Sequence, residues 1–235
     1  MTELPLALSF FDPAHRLSGT ARAGMTLLFA DGSPETIGEG PEIERGADGE
    51  LSARLSERFE LRFVPVAEPA TLTGLRTTLC AVTGTVADTR IDCLGTATET
   101  TEPPAWSELD AVRGITAVFG PDRAVFVLAR RPRGVFGHGH ELVEARLVLD
   151  GEPAVAEDAR LSTVYDGEGR QRSAGLELFL PAEDFPRRLS GSVEAGASLS
   201  LEGLRVNAAV FKWQMEGREG SGAYELAVRD EQEAA

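Results

Sequence analysis

The sequence predicts an all-β protein, built as an antiparallel barrel or sandwich, and three observations support this fold class. Apolar residues alternate with polar ones over several short segments, which is the period of a half-buried strand. Aspartate-glycine pairs separate these segments. The chain also contains 25 glycines and 13 prolines, a usage typical of many short strands joined by turns.

The segment from Glu57 to Val64 has the clearest strand pattern. Phe59, Leu61 and Phe63 fall on one face of an extended chain, and charged residues fall on the other. Further strands are predicted at Arg123–Ala129, Glu144–Leu149 and Gly175–Leu180. The first of these three is a continuous apolar run, as expected of a strand that is covered on both faces.

Four aspartate-glycine pairs predict tight turns between the strands, because this dipeptide favours two-residue hairpin loops. They are Asp31-Gly32, Asp48-Gly49, Asp150-Gly151 and Asp166-Gly167. Helical periodicity is scarce, and the best candidate for a short helix is Pro104–Val112.

The polar stretch Thr96–Pro103 divides the chain into two predicted parts. We interpret it as a linker between an N-terminal β half, residues 1–102, and a C-terminal β half, residues 103–235. A long loop within one continuous sheet system is the alternative. The sequence alone leaves this choice open.

Composition and charge exclude several classes of partner. The formal net charge is −15, so phosphate backbones would repel the chain, and we expect no nucleic-acid partner. No apolar run reaches the 18 residues that a membrane helix needs, and we expect no membrane insertion. The two cysteines, Cys80 and Cys93, are predicted to be reduced core thiols, and a cytoplasmic location is expected. The oligomeric state stays open.

A histidine motif predicts a metal site as one alternative. His138 and His140 are two apart and share a face if they lie on a strand, and Glu144 follows four residues later. Two imidazoles and a carboxylate suit iron, manganese or zinc. The spacing resembles the first metal motif of cupins, although Pro132 stands where that motif has glycine and no histidine follows His140. A solvated turn is the competing interpretation.

A second cluster suggests an apolar binding surface. Phe211, Trp213 and Met215 alternate along one predicted strand, so they share a face that would either line a ligand pocket or fill a core. Glu216 follows directly and completes the predicted ligand-binding set. Glu216 and Glu219 are the carboxylates nearest to the aromatic face. If the protein is a catalyst, we expect one of them to act as the general acid.

The second half also resembles a group of bacterial proteins that are similar to hydroxyneurosporene synthase (carotenoid 1,2-hydratase) and AttH-like proteins. The resemblance covers about half of the chain. It rests on the segments 104–106 through 119–120, 123–134, 137–151, 159–165 and 212–226. It implies two lipocalin-like β barrels around apolar ligand pockets. It also implies isoprenoid or polyketide substrates that some members hydrate or cyclise by acid chemistry. No catalytic residue of the family is matched by position.

Three functions therefore follow as hypotheses. The leading one is binding of a small apolar or amphipathic ligand in a β-lined cavity, with hydratase or cyclase chemistry and no cofactor. The second is a cupin-like metal-dependent enzyme that uses His138, His140 and Glu144. The third is a non-catalytic interaction protein whose acidic surface meets a basic partner.

Overall fold

The computed structural model describes residues 4–135, 140–201 and 203–229, and the chain divides into two compact units. The first unit comprises Met1–Glu102 with the short segments Gly120–Ala124 and Val148–Pro153. The second comprises Pro103–Phe119, Val125–Leu147 and Ala154–Ala235. Within the described ranges, no helix is long and apolar enough to cross a membrane.

The first sheet is antiparallel and has ten strands, in the order β4-β3-β2-β1-β10-β9-β7-β6-β5, with β8 paired to β9. Its strands are β1 (Leu6–Asp12), β2 (Leu17–Arg22), β3 (Met25–Ala30), β4 (Ser33–Ile37), β5 (Glu42–Arg45), β6 (Leu51–Leu55), β7 (Phe59–Pro65), β8 (Ala70–Leu72), β9 (Leu75–Val86) and β10 (Thr89–Thr100). Strand β7 lies where the alternation predicts it, with Phe59, Leu61 and Phe63 buried and their neighbours exposed.

The core of the first unit is almost completely filled. Side chains from β1, β3, β6 and β7, among them Phe10, Leu28, Ala53 and Phe63, surround one apolar cavity of about 10 Å³. Strands β3 and β6 are far apart in the sheet order, so the sheet must curl for both to line this cavity. A cavity of this size has room for about one water molecule. This cavity alone is too small for a ligand of isoprenoid size.

Both cysteines belong to the first unit, and both are free thiols. Cys80 pairs in register with Gly95, and Cys93 pairs with Val82, so the two are not direct partners across the strands. Burial raises the pKa of each thiol to about 12. Such thiols stay protonated at neutral pH and are poor nucleophiles.

The second sheet has nine strands in the order β14-β13-β12-β11-β19-β18-β17-β16-β15. Its strands are β11 (Leu109–Gly120), β12 (Arg123–Pro132), β13 (Leu142–Leu149), β14 (Glu152–Val155), β15 (Asp158–Tyr165), β16 (Gln171–Phe179), β17 (Arg187–Leu201), β18 (Leu204–Met215) and β19 (Arg218–Arg229). The predicted all-β fold class is thus confirmed, with two curled antiparallel sheets that match two lipocalin-like halves.

Two of the four predicted aspartate-glycine turns have the expected hairpin geometry, whereas Asp48-Gly49 lies in a short 3-10 helix, Ala47–Gly49. Asp31-Gly32 joins β3 to β4 and Asp150-Gly151 joins β13 to β14, and φ is positive at all four residues. Positive φ at both central residues is the requirement of a type I′ hairpin. The pair Asp166-Gly167 differs, because the left-handed residue in that loop is Gly169 and the Asp166 carboxylate accepts backbone N–H bonds instead.

The predicted helix at Pro104–Val112 is wrong. Strand β11 begins at Leu109, and a turn precedes it. The cause is long-range pairing, because β11 lies antiparallel to β19 with Ile115 opposite Tyr224. A short segment with weak helical preference adopts the strand conformation when a neighbouring strand satisfies its backbone groups.

Registers along the second sheet place one set of side chains on a single face, which we term the inner face. It includes Ile115 of β11, Tyr224 of β19, Trp213 of β18, Gly191 of β17 and Leu176 of β16, together with their alternate neighbours on each strand. Thr163 of β15 continues this face. Most of these side chains are almost fully buried.

The second sheet curls until its inner face closes on itself. Strands β19 and β15 are four spacings apart in the sheet, about 19 Å if the sheet were flat. The side chains of Thr163 and Tyr224 nevertheless share a hydrogen bond of 2.8 Å. Arg113 of β11, one strand further along, has its guanidinium carbon 5.9 Å from the centre of the Tyr165 ring. These contacts are possible only around an enclosed interior.

Gly191 is one residue that the inner face requires to be small. A Cβ at this position would collide with the six-membered ring of Trp213 and lie 2.9 Å from the Phe211 ring. Gly114 on β11 is the matched contrast, because a Cβ there would meet nothing within 4 Å and its φ is not positive.

We expect Gly191→Ala to lower the free energy of unfolding by about 1–3 kcal/mol, the usual cost of overpacking a filled interior. Gly114→Ala is the control and is expected to change it by at most about 0.5 kcal/mol. Urea unfolding of both variants measures the difference. Equal stabilities would show that Trp213 does not pack against β17 as described.

Candidate functional site

A small group of polar side chains lies inside the second unit, on or beside the inner face. We term it the inner polar cluster, and it consists of Arg113, Glu141, Thr163, Tyr165 and Tyr224. Arg113 and Tyr224 occupy positions on β11 and β19 whose alternate neighbours are apolar. A few convergent polar groups within apolar walls are the usual composition of a small-molecule site.

The centre of the cluster is a buried ion pair. Arg113 Nη1 donates to Glu141 Oε2 at 2.7 Å, and the two side chains are 3% and 2% exposed. Burying two charges costs several kcal/mol per ion before their attraction is counted. A pair of this kind is weak evidence of a stabilising role, so its position in an apolar interior points to another role.

The Tyr224 phenol stays neutral at physiological pH. Burial is the main cause that raises the pKa of Tyr224, and the neighbouring Tyr165 adds to the rise. Arg113 and the hydrogen bond with Thr163 lower this pKa, but their effects are weaker. The Tyr224 hydroxyl is therefore a neutral hydrogen-bonding group.

A buried amide fixes the backbone beneath the cluster. Gln171 Nε2 donates to the carbonyl oxygen of Tyr224 at 3.3 Å and to that of Asn207 at 3.1 Å. Asn207 in turn donates to the Gly169 carbonyl and accepts from Ser198. This network ties β16, β18 and β19 together, so the backbone at Tyr224 is held in a fixed position.

The predicted aromatic set begins beside the cluster at Phe211 and continues along β18 away from it. Phe211, Trp213 and Met215 are all at most 1% exposed on the inner face. The rings of Phe211 and Trp213 are stacked with centres 5.2 Å apart, and Phe211 lies 5.5 Å from Tyr224. The shared face of these three residues is as expected, and their role in ligand binding stays a prediction.

The two carboxylates that the sequence placed near the aromatic face point elsewhere. Glu216 lies in the β18–β19 turn and forms an ion pair with Arg187 at 3.0 Å. Glu219 pairs with Lys212 at 2.8 Å, and this contact lowers the pKa of the carboxyl. Both carboxylates are well exposed to water, which makes them less suited to acid chemistry than the buried Glu141. A direct ligand role for Glu216 is untested.

The predicted metal ligands are only partly within the described residues. His138 lies outside them, His140 is exposed, and Glu144 accepts a bond of 2.6 Å from Arg130. Among the described residues, no group of three histidine, cysteine or carboxylate side chains could hold a metal ion. His15 Nδ1 and Asp12 Oδ2 share a hydrogen bond of 2.7 Å in the first unit. The metal site on His138, His140 and Glu144 stays a prediction.

Sequence reasoning missed Arg113, Glu141 and Tyr224 as site residues. The available signal for Arg113 is its position in the alternation of β11, because it lies between Ala111 and Ile115 on the apolar face of that strand. Glu141 directly follows His140 in the sequence, and no local pattern marks it as a buried carboxyl. Tyr224 reads as an ordinary strand residue, because the curl that brings it to Thr163 has no local sequence signal.

Comparisons with known proteins add the fold relationship. No family model matches the sequence, and no curated protein matches it. A crystal structure from Nitrosomonas europaea, provisionally named AttH, matches with a TM-score of 0.64 and 12% identity over 94% of this chain and 91% of that one. The fold is that of the AttH-like proteins. Kievitone hydratase from Nectria haematococca has the same fold, with a TM-score of 0.60 and 10% identity over 96% of this chain and 89% of that one.

The family resemblance seen in the sequence is therefore confirmed at the level of the AttH-like fold. At 10–12% identity the matches show architecture and assign no residue. The chemistry available to this chain follows from its own inner polar cluster. Glu141 is a water-shielded carboxyl that Arg113 holds in place, and the Tyr224 hydroxyl offers a neutral hydrogen bond.

We expect Arg113→Met and Glu141→Gln each to lower the free energy of unfolding by about 3–5 kcal/mol, because each leaves the other charge buried without its partner. The double variant Arg113→Met/Glu141→Gln should lose less than the sum of the single losses. Urea unfolding of the three variants forms a double-mutant cycle.

Arg54→Met is the matched control for that cycle. Arg54 pairs with Glu60 at 2.9 Å, but both side chains are about two-thirds exposed. Water screens such a pair, so its removal is expected to leave stability almost unchanged. Additive losses at Arg113 and Glu141 would contradict the description of a tightly coupled buried pair.

Proposed function

We propose that the second unit binds a small apolar or amphipathic molecule of isoprenoid or polyketide type against its inner face. The observation that supports this most is the composition of that interior. Aromatic and aliphatic side chains form its walls, and the inner polar cluster lies at one place within them. A structural core alone would not need a buried ion pair, which contributes little net stability.

The same site supports hydration as its chemistry, and the kinship of fold with a hydratase favours it. In this proposal the Glu141 carboxylate, which is paired with Arg113 in the resting state, first takes up a proton from solvent. It then donates this proton to one carbon of a carbon–carbon double bond, and water adds its oxygen to the neighbouring carbon. The added water then returns a proton to the Glu141 carboxylate, so the net change is the addition of one water molecule. Arg113 holds the carboxyl in place, and the Tyr165 ring lies against the Arg113 guanidinium.

The first unit is the less suitable place for the ligand, because its described apolar cavity of about 10 Å³ is lined almost completely by hydrocarbon. Apolar walls give affinity but no orientation, and orientation requires polar groups at fixed positions. The first unit thus serves as the internal comparison for any binding experiment.

Binding is tested with farnesol as a probe. A ligand that binds only the native state raises its stability, by about 2.7 kcal/mol at one hundred times Kd. For a chain of this length we expect the melting temperature to rise by roughly 5–10 °C. Differential scanning calorimetry with increasing farnesol measures the rise.

Two matched truncations locate the binding. Phe211→Ala alters the second unit, and Phe63→Ala removes an equally buried ring from the first. Both should lower stability by about 3–5 kcal/mol. Only Phe211→Ala should change the rise that farnesol produces. If Phe63→Ala abolished the rise and Phe211→Ala left it intact, the proposed location would be wrong.

A further inference from the structure

Trp213 has a hydrogen-bond donor inside the second unit that the described residues do not satisfy. The residue is 0% exposed, and its indole Nε1 has no hydrogen-bond partner within the described part of the chain. An indole N–H can only donate. A buried donor without an acceptor costs free energy, and buried donors in native proteins are almost always paired. The position therefore calls for an acceptor oxygen or nitrogen that another molecule supplies.

The surroundings of Trp213 favour a ligand over an isolated water. In register, Trp213 lies between Gly191 and Gly220, and its ring stacks on Phe211. The benzo edge of the indole lies over Gly191, so the N–H edge is turned away from that strand. A buried water needs two to four polar partners, and an aromatic ring with two glycines does not provide side-chain partners.

The charge of the inner polar cluster limits what the ligand can be. Its cation and its anion, Arg113 and Glu141, already neutralise each other at 2.7 Å. A carboxylate or an amine brought into this interior would carry a charge without a free counterpart, which is costly in an apolar medium. An uncharged ligand avoids that cost.

We infer that Trp213 is a specificity-determining residue whose indole N–H binds the oxygen of an uncharged amphipathic ligand, and that the interior, whose Arg113–Glu141 pair is already neutralised, offers no counter-charge to a charged ligand. This inference rests on the proposed function, because it assigns the polar end of a ligand bound at the inner face. The ligand class is a neutral ketone, ester, ether or alcohol with an apolar body.

The test uses four probes with the same chain length: 2-undecanone, undecane, undecanoate and undecylammonium. Calorimetric titration of the full chain should give at least tenfold tighter binding of 2-undecanone than of undecanoate or undecylammonium. Trp213→Phe removes the donor and keeps an aromatic ring. It should weaken 2-undecanone about three- to tenfold, the usual effect of one hydrogen bond, and leave undecane unchanged.

A second measurement keeps Trp213 in place. Trp106→Phe leaves Trp213 as the single tryptophan of the chain, and the hydrogen bond that Trp106 accepts from Arg229 uses its backbone carbonyl. In this variant 2-undecanone should change the fluorescence of Trp213 in a way that undecane does not. An identical response to both probes would contradict the assignment even if Trp213→Phe failed to fold.

Glu141→Gln tests the role of charge. This variant leaves Arg113 as the unneutralised charge of the pair, so the affinity for undecanoate should rise at least fivefold relative to the affinity of the same variant for undecylammonium. No gain for undecanoate would overturn the charge argument.

The outcomes separate the two proposals. If all four probes bind equally well and Trp213→Phe changes none of them, the proposed function stands and the inference about Trp213 fails. If undecanoate binds the unaltered protein most tightly, the inference also fails. If no probe binds, the proposed function fails together with it.

Discussion

The curl of the second sheet is the constraint on which the rest of the site depends. It brings β15 to β11 and β19, although these strands are four or five positions apart in the hydrogen-bonded order. The Thr163–Tyr224 hydrogen bond and the contact of Arg113 with Tyr165 exist only because of it. Glycines opposite large aromatic residues permit the close approach, as the fit of Trp213 over Gly191 illustrates.

The two units use the same kind of curled sheet in different ways. The first packs a hydrocarbon core with a few buried polar side chains, such as Asp12 and Thr26, and keeps the buried Cys80 thiol protonated. The second places an ion pair and two phenols among its apolar side chains, and the Gln171 amide binds the backbone carbonyl of Tyr224. Buried polar groups of this kind give little net stability but a high degree of order. They are the reason to look for function in the second unit.

The sequence predicted the fold class well because the determinants of strands and turns are local. Alternation located β7, and the positive-φ turns of Asp31-Gly32 and Asp150-Gly151 were recognisable from dipeptides. The aromatic face of β18 followed from the same period of two. The predicted helix before β11 failed because pairing with β19, about a hundred residues away, decides that segment.

The site could not be predicted from local sequence patterns, for the same reason. Arg113 and Glu141 are 28 residues apart, and Thr163 and Tyr224 are 61 apart. Their proximity depends on strand order and on curl, and neither can be derived from single segments. The histidine pair matches a known spacing motif, whereas the buried carboxyl next to it, Glu141, belongs to no motif.

The most direct test of the account is a crystal structure of the protein with farnesol bound. The account predicts density for one farnesol inside the second unit, in contact with Phe211 and Tyr224 and with its hydroxyl oxygen within about 3.2 Å of Trp213 Nε1. Farnesol bound in the first unit or on an outer surface, with the second interior unchanged, would contradict it.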